Sequence, residues 1–372
     1  MHKDIRILQL IDSLDAGGAE RMAVNYANTL ADVVPFSGLV TTRKEGALKG
    51  QVADNVAYLF LNKQGKLGWQ AVLRLRRFIK LHKVDVVHAH SSSFFTAVLV
   101  KLTLPSVKIV WHDHFGNRAK STNRSNATLK KVSVLFEGVL TVNKELEDWA
   151  KKNLSTKKVR YFPNFVTTSI SSVAGKTVLE GEEGKRIVFL ANLKNPKNHL
   201  QILKAFKSSD ALALGWSLHL IGKDIFDEYS EELKSFIVDN NLQNAVHIYG
   251  SCNDVESILA QSAVGILGST YEGFPVTLLE YGKAKLAVLS TNVGYCSSII
   301  QNAKNGLLFE PDNLIEISEK LNMMLSDVAV RQKYAGALHL EVLGHYSDKA
   351  VIGHYLEWLG PLTPKGKIEK YI

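Results

Sequence analysis

Two carboxylates eight positions apart, Glu272 and Glu280, bracket the run Gly273-Phe274-Pro275-Val276-Thr277-Leu278-Leu279. Pro275 suits the first position of a helix, where its missing N–H is not needed, so a helix is expected to begin at about Pro275. Glu272 then lies on the preceding loop and Glu280 about one and a half turns into the helix. Free N–H groups and the positive dipole end at such a start attract an anion or a hydroxyl oxygen. Two carboxylates spread in this way accept hydrogen bonds from two different hydroxyl-bearing parts of one ligand, such as a hexose and a ribose. Gly17 and Gly18 offer a second backbone site, since paired glycines after a strand allow the close approach and positive φ that a diphosphate cradle requires.

Four histidines fall in two His-x-His pairs, His88/His90 and His112/His114, the second split by Asp113. On an extended chain each pair shares one face and Asp113 points the other way. Such imidazoles contact a polar substrate or ligate a metal, and a metal-dependent hydrolase using both pairs with Asp113 is a rival reading. The chain has no His-Glu-x-x-His helix motif, no cysteine ligand cluster and no Asp-x-Asp pair, and the rival leaves the Glu272 segment without a role.

Short apolar runs alternate with helical patterns throughout, which predicts βα units around parallel sheets. The first series of strands is Ile5 to Ile11, Phe36 to Thr41, Val56 to Leu61, Val84 to Ala89, Lys108 to Trp111 and Gly138 to Val142. A second series starts at Ile187 to Ala191 and continues with Ser217 to Ile221, Val246 to Tyr249, Val264 to Leu267, Ala287 to Ser290 and Gly306 to Phe309. Because the pattern restarts, the fold class is α/β with two doubly wound Rossmann-like domains. Val166 to Gly184, rich in Ser, Thr, Gly and Glu, reads as the connection between them. The expected division is residues 1–170 as a first domain, 171–184 as linker, 185–345 as a second domain and 346–372 as a C-terminal segment helical over Tyr346 to Leu359. Ligands of such sheets lie beyond the carboxyl ends of the strands, so the two domains are expected to face each other across a cleft.

The Glu-x7-Glu segment, with Gly-Phe-Pro after the first Glu and Leu-Leu-Glu at its end, resembles the donor motif of retaining GT-B glycosyltransferases of family 4. Asp12-Ser13-Leu14-Asp15-Ala16-Gly17-Gly18-Ala19-Glu20-Arg21 is similar to that family's N-terminal Gly-Gly-Ala-Glu-Arg loop. Val84-Asp85-Val86-Val87-His88-Ala89-His90, Tyr161-Phe162-Pro163-Asn164-Phe165 and Asn305-Gly306-Leu307-Leu308-Phe309 follow in the family's order. The resemblance implies a GT-B fold, an acceptor-binding first domain, a donor-binding second domain and a C-terminal helix that crosses back to the first. It implies transfer of a sugar from a nucleoside-diphosphate sugar to an acceptor hydroxyl with retention, without metal or other cofactor, in polysaccharide or lipopolysaccharide biosynthesis. Glu280 would bind the ribose, while Glu272, Gly273, Phe274 and Val276 would face the donor sugar. Lys197 matches the family's diphosphate-binding lysine, whereas Asn192 stands where the family places an arginine, so Lys194 is a candidate to compensate. His114, nearer its strand end, is the favoured sugar contact, with His112 and His90 as further acceptor or sugar contacts. A nucleotide-sugar epimerase of the same fold is a further alternative.

Bulk properties frame these expectations. The 372 residues suit two domains, and 46% hydrophobic with 22% charged residues is ordinary folded composition. Met1 to Leu14 lacks the pattern of a secretory signal and the most apolar stretch, Phe94 to Val100, stops at Lys101. Two cysteines, Cys252 and Cys296, make no disulfide framework, and a cytoplasmic location is expected. Residues 1–175 carry 26 Lys and Arg against 13 Asp and Glu, while residues 176–372 carry 19 against 23. A basic first half without stacking or groove-reading motifs argues against nucleic acid and for an anionic membrane at the inner face of the plasma membrane, with a saccharide or lipid-linked saccharide acceptor. Within it, Trp69 to Lys83 has helical periodicity and carries Arg74, Arg76, Arg77, Lys80 and Lys83; it is a candidate lipid-facing surface, but the favoured reading of this segment alone is a helix packed on its own sheet with a solvated basic face.

Overall fold

The computed structural model describes residues 5–15, 17–65, 67–115, 118, 125–156, 158–168 and 177–360. The chain divides into two compact units, Met1–Thr168 with Ser347–Ile372, and Ser169–Tyr346. Each has a single sheet whose strands are parallel throughout.

In the first unit, strands β1 (Arg6–Ser13), β2 (Phe36–Lys44), β3 (Ala57–Phe60), β4 (Val86–His90), β5 (Lys108–Asp113), β6 (Gly138–Thr141) and β7 (Val159–Tyr161) run in the order β3-β2-β1-β4-β5-β6-β7. The connecting helices are α1 (Gly18–Ala31), α2 (Trp69–Leu81), α3 (Phe94–Thr103), α4 (Ser125–Val132) and α5 (Lys144–Asn153). Leu8, Leu10, Val87, Ala89, Ile109 and Trp111 fill the core on one side of the central strands. Central strands buried on both faces read as nearly continuous apolar runs, which is why their positions follow so closely from the sequence. Strand β7 was not among the predicted strands: it is three residues long at the sheet edge, with Arg160 exposed.

The second unit holds β8 (Arg186–Leu190), β9 (Ser217–Ile221), β10 (Val246–Gly250), β11 (Val264–Leu267), β12 (Ala287–Thr291) and β13 (Leu307–Phe309), ordered β10-β9-β8-β11-β12-β13. Its helices are α6 (His199–Ser208), α7 (Glu228–Asp239), α8 (Val255–Ala260), α9 (Val276–Lys283), α10 (Cys296–Ile299), α11 (Leu314–Ser326) and α12 (Val328–His345). The expected linker is partly a built element of this unit. Thr177 donates through N and Oγ1 to Asp254, Leu179 N donates to Gln261 Oε1 at 3.0 Å, and Leu179 is buried. Residues 171–176 lie outside the described residues.

A last helix, α13 (Asp348–Leu359), belongs to the first unit. Ser347 caps it by accepting from Ala350 N, and Asp348 N donates to Val166 O at 2.9 Å. Trp358 covers Gly138 of β6, and Lys158 Nζ donates to Trp358 O. Residues 361–372 lie outside the described residues. No helix among the described residues is long and apolar enough to cross a membrane. In both sheets the strand order reverses beside the first strand, between β1 and β4 and between β8 and β11. Crevices at the carboxyl ends of such strands are where open α/β sheets place ligands.

Candidate active site

In the second unit, the loops leaving β8 and β11 bring the expected donor residues together. After β8 the chain forms a short 3-10 turn, Asn195–Lys197, and Thr270 N from the loop after β11 donates to Pro196 O at 2.9 Å. That backbone bond sets Lys197 Nζ 2.6 Å from Glu272 Oε1, and Ser269 Oγ donates to the same oxygen at 2.6 Å. The pair is sheltered without being sealed, with side-chain exposures of 24% for Lys197 and 12% for Glu272. A partly desolvated pair of this kind keeps its charges poised, since water screens them less than at the open surface.

Helix α9 starts one residue later than expected. Pro275 has φ −80 and ψ 92 and is therefore the extended cap residue, with Val276 the first helical one. Phe274 and Val276 are buried, and the Phe274 ring packs against Tyr295 and Tyr346, which fixes the loop from outside. From beneath, the loop rests on Gly294, whose φ is +52; a Cβ there would lie 1.7 Å from Glu272 O. Tyr281, fully buried in α9, accepts from Leu190 N at 2.8 Å and donates to Ile266 O at 3.1 Å. One hydroxyl thus ties the helix carrying the half-buried Glu280 to the ends of β8 and β11. Asn192 Oδ1 accepts from Lys223 N at 3.0 Å, so this side chain braces the loop after β9, and Lys194 is exposed.

In the first unit, Gly17 caps α1 with extended backbone, and Gly18 opens the helix. The expected cradle is not open: the Glu20 carboxylate lies over Gly17, within 2.3 Å of where a Cβ would stand. A carboxylate at a helix N-terminus occupies the position an anion would take. Burial, with the nearby charges of Asp15 and Asp12, raises the Glu20 pKa. Asp12 accepts from Ser92 Oγ, and Asp15 pairs with Lys44 at 2.8 Å. Ala16 of this loop lies outside the described residues.

The two His-x-His pairs converge at the ends of β4 and β5. His88 Nε2 is 3.2 Å from His112 Nδ1, and His90 Nδ1 is 2.9 Å from His114 Nε2. Tyr355 of α13 meets His88 Nδ1 at 3.0 Å, and Gln9 Oε1 meets His90 Nε2 at 2.8 Å. His88, His90 and His112 are fully buried and desolvation holds their pKa values well below the usual range, while His114 is pushed down to about 3. All four are neutral at physiological pH. Nitrogens of His88, His90 and His112 lie within 4.8 Å of one another, close enough for one ion. The His88 and His90 rings, however, stack 4.4 Å apart at 22°, so their in-plane lone pairs run side by side. Asp113, the carboxylate of the hydrolase reading, is buried on the opposite face and bound by Arg118 at 2.6 Å. Gly116, next to this strand end, lies outside the described residues.

Sequence reasoning paired neither Ser269 nor Gly294 with Glu272, and it passed over Gln9, Tyr281 and Tyr355. Gln9 left one trace, an amide set between Leu8 and Leu10 in the apolar middle of β1.

Comparison with known proteins follows the same division. Residues 176–337 match the family model described as glycosyl transferases group 1, and residues 16–170 match that described as glycosyltransferase family 4. The UDP-Gal:alpha-D-GlcNAc-diphosphoundecaprenol alpha-1,3-galactosyltransferase of Escherichia coli is 26% identical over 337 residues, covering 84% of this chain and 86% of that protein. A glycosyltransferase of Haemophilus influenzae is also 26% identical, over 332 residues, with 84% and 88% covered. Among solved structures, Anabaena HepE in complex with UDP and glucose superposes with a TM-score of 0.79 at 17% identity, over 96% of this chain and 100% of that one.

Proposed function

The chain belongs to glycosyltransferase family 4 and has its two Rossmann-like GT-B domains, and on that premise we propose that it transfers a sugar from a nucleoside-diphosphate sugar to an acceptor hydroxyl with retention of configuration. The observation that carries this reading is the convergence of Lys197, Ser269 and Glu272 at the strand-order reversal of the second unit. Lys197 neutralises Glu272 while the site waits. With donor bound, Lys197 turns to the diphosphate and Glu272 accepts from the sugar hydroxyls, with Gly273, Phe274 and Val276 lining the sugar and Glu280 accepting from the ribose. Charge developing on the leaving diphosphate is then met by a preplaced cation and the α9 dipole, without metal. Glu272 is not assigned as a covalent nucleophile, because double displacement needs two carboxyl groups about 5 Å apart across the bond and the first domain's sequence offers no second acid in a comparable motif. The departing phosphate takes the acceptor proton on the same face. The Glu20 carboxylate over Gly17 closes the backbone site that Gly17 and Gly18 were expected to offer an anion, and Asn192 contributes hydrogen bonds without charge.

HepE is described with UDP and the E. coli relative with a UDP-sugar and a diphosphoundecaprenol-linked acceptor, so UDP-sugars and polyprenyl-diphosphate saccharides are the first substrates to test. The first unit takes the acceptor, with His114 as its sugar contact; His112 and His90, expected as further contacts, are fully buried and can act only through His114 or as part of the core. Helix α2 is the membrane-facing surface: Trp69, Leu73 and Leu81 are exposed beside Arg74, Arg77, Lys80 and Lys83. Each basic residue near an anionic surface adds about 1 kcal/mol.

The test is transfer from a panel of UDP-, GDP- and ADP-sugars in excess chelator, with product anomers read by NMR. Glu280→Ala is expected to abolish nucleotide binding. Activity with no donor and unchanged nucleotide binding in Glu280→Ala would overturn the proposal, and strict metal dependence would remove its metal-independent step. Loss of binding to phosphatidylglycerol vesicles in Trp69→Ala/Arg77→Glu is the expected membrane result; undiminished binding refutes that part.

A further inference from the structure

The histidine quartet of the first unit is organised by a residue outside it. Gln9 is fully buried in β1, and its Oε1 accepts from His90 Nε2 at 2.8 Å. A neutral imidazole carries one proton, so His90 Nδ1 must then accept, and the proton at 2.9 Å comes from His114 Nε2. His114 is left with a bare Nδ1, and it alone of the four rings has appreciable solvent exposure. The other amide atom of Gln9, Nε2, is buried with no hydrogen-bond partner within the described residues. Its neighbour is Tyr355, where Gln9 is the group that opposes the effect of burial on the phenol. With that orientation Tyr355 donates to His88 Nδ1, His88 Nε2 donates to His112 Nδ1, and His112 Nε2–H ends in the core with no partner among the described residues. Turning the amide over would reverse every proton along the His90–His114 row.

We propose that Gln9 is a positioning residue: by accepting from His90 it fixes the tautomer of His114, so that His114 offers an acceptor lone pair, Nδ1, to a substrate hydroxyl. Only the last step, the hydroxyl, rests on the glycosyl-transfer reading above. Hydroxyl recognition by a bare nitrogen is directional, since the hydroxyl must donate, whereas a His114 protonated on Nδ1 would require the same hydroxyl to turn and accept.

The experiment is nitrogen NMR of the full chain labelled at histidine, which reports which ring nitrogen bears the proton, combined with steady-state transfer kinetics. His114 in the wild type is expected to be protonated at Nε2. Gln9→Met, which keeps the volume, is expected to give a tautomer mixture at His114 and a kcat/KM about ten-fold lower, with nucleotide affinity unchanged. Gln9→Glu, which keeps a carbonyl oxygen toward His90, is expected to restore both. Tyr355→Phe cuts the other row and is expected to leave the His114 tautomer as it was. A wild-type His114 protonated on Nδ1 overturns the proposal without any variant, as does a Gln9→Met enzyme with unchanged transfer. A wild type with the expected tautomer that transfers no sugar overturns the function proposed above while supporting the role of Gln9.

Discussion

Gly294→Ala concentrates its damage on the donor loop. The added methyl would stand 1.7 Å from Glu272 O, and real Cβ contacts essentially never fall below 3.0 Å, so the loop must retreat by roughly 1.3 Å. The left-handed backbone, φ +52, adds about 1–2 kcal/mol for a residue with a side chain. Stability should therefore fall by only a few degrees in Tm, because the loop can yield. Function should fall further, since a misplacement of about 1 Å costs on the order of 100-fold in rate. The loop that moves carries Glu272, and with it the 2.6 Å contact to Lys197. Thermal unfolding, donor titration and transfer kinetics measure the three consequences separately. The control is Gly336→Ala within α12, where nothing lies within 4 Å of the new methyl and helix propensity predicts a gain of up to about 1 kcal/mol. A folded Gly294→Ala enzyme whose kcat/KM stays within threefold of wild type would refute the reasoning.

Other perturbations test the frame around the site. His88, His90, His112 and His114 are all depressed by burial, so the unfolded chain binds protons that the folded one refuses. Their stabilising contribution is complete above the ordinary histidine pKa and is lost as pH falls through about 6.5 toward the folded values, by up to about 1.4 kcal/mol per pH unit for each ring. Denaturant titrations from pH 7 to 5 should show that slope, shallower in His114→Gln. Arg118→Ala strands Asp113, whose side chain is 1% exposed, at an expected cost of about 3–5 kcal/mol. Burial already raises the Asp113 pKa against the pull of Arg118, and losing Arg118 raises it further, so this loss should shrink as acid protonates the carboxyl. Tyr281→Phe leaves Leu190 N–H and Ile266 C=O without their partner and should cost about 1–3 kcal/mol by chemical denaturation, with weaker nucleotide binding through α9.

The fold was legible because two-sided burial makes parallel strands conspicuous. Ile7, Leu8, Leu10, Val86, Val87, Ile109 and Val110 are buried whichever way they point. Strand β7 has no such signature, since only Val159 of its three residues is buried. Pro275 gave the place of α9 to within one residue, its ψ of 92 keeping it outside the helix. Glu272, Glu280 and Lys197 were legible from local residue pattern and family resemblance. Their supports were less so: Ser269 stands three residues before Glu272 on the same loop, where only the turn of the loop brings the two side chains together, and Gly294 arrives from the loop after β12, a contact that no spacing along the chain encodes. The Glu20 carboxylate above Gly17 was likewise invisible, because its position depends on a rotamer and not on spacing.

Tyr355 and His88 are 267 residues apart, yet they share a hydrogen bond in one buried cluster. In sequence the whole second unit lies between them, as an insertion between Thr168 and Ser347. During synthesis the first sheet therefore emerges long before the helix that completes its interior. Until α13 arrives, His88 lacks its phenol, Gly138 lacks its tryptophan cover and Asp348 is absent from Val166. A nascent chain halted ahead of Ser347 holds a finished set of β strands around an unfinished core, and the histidine cluster matures only after the whole second unit has been made.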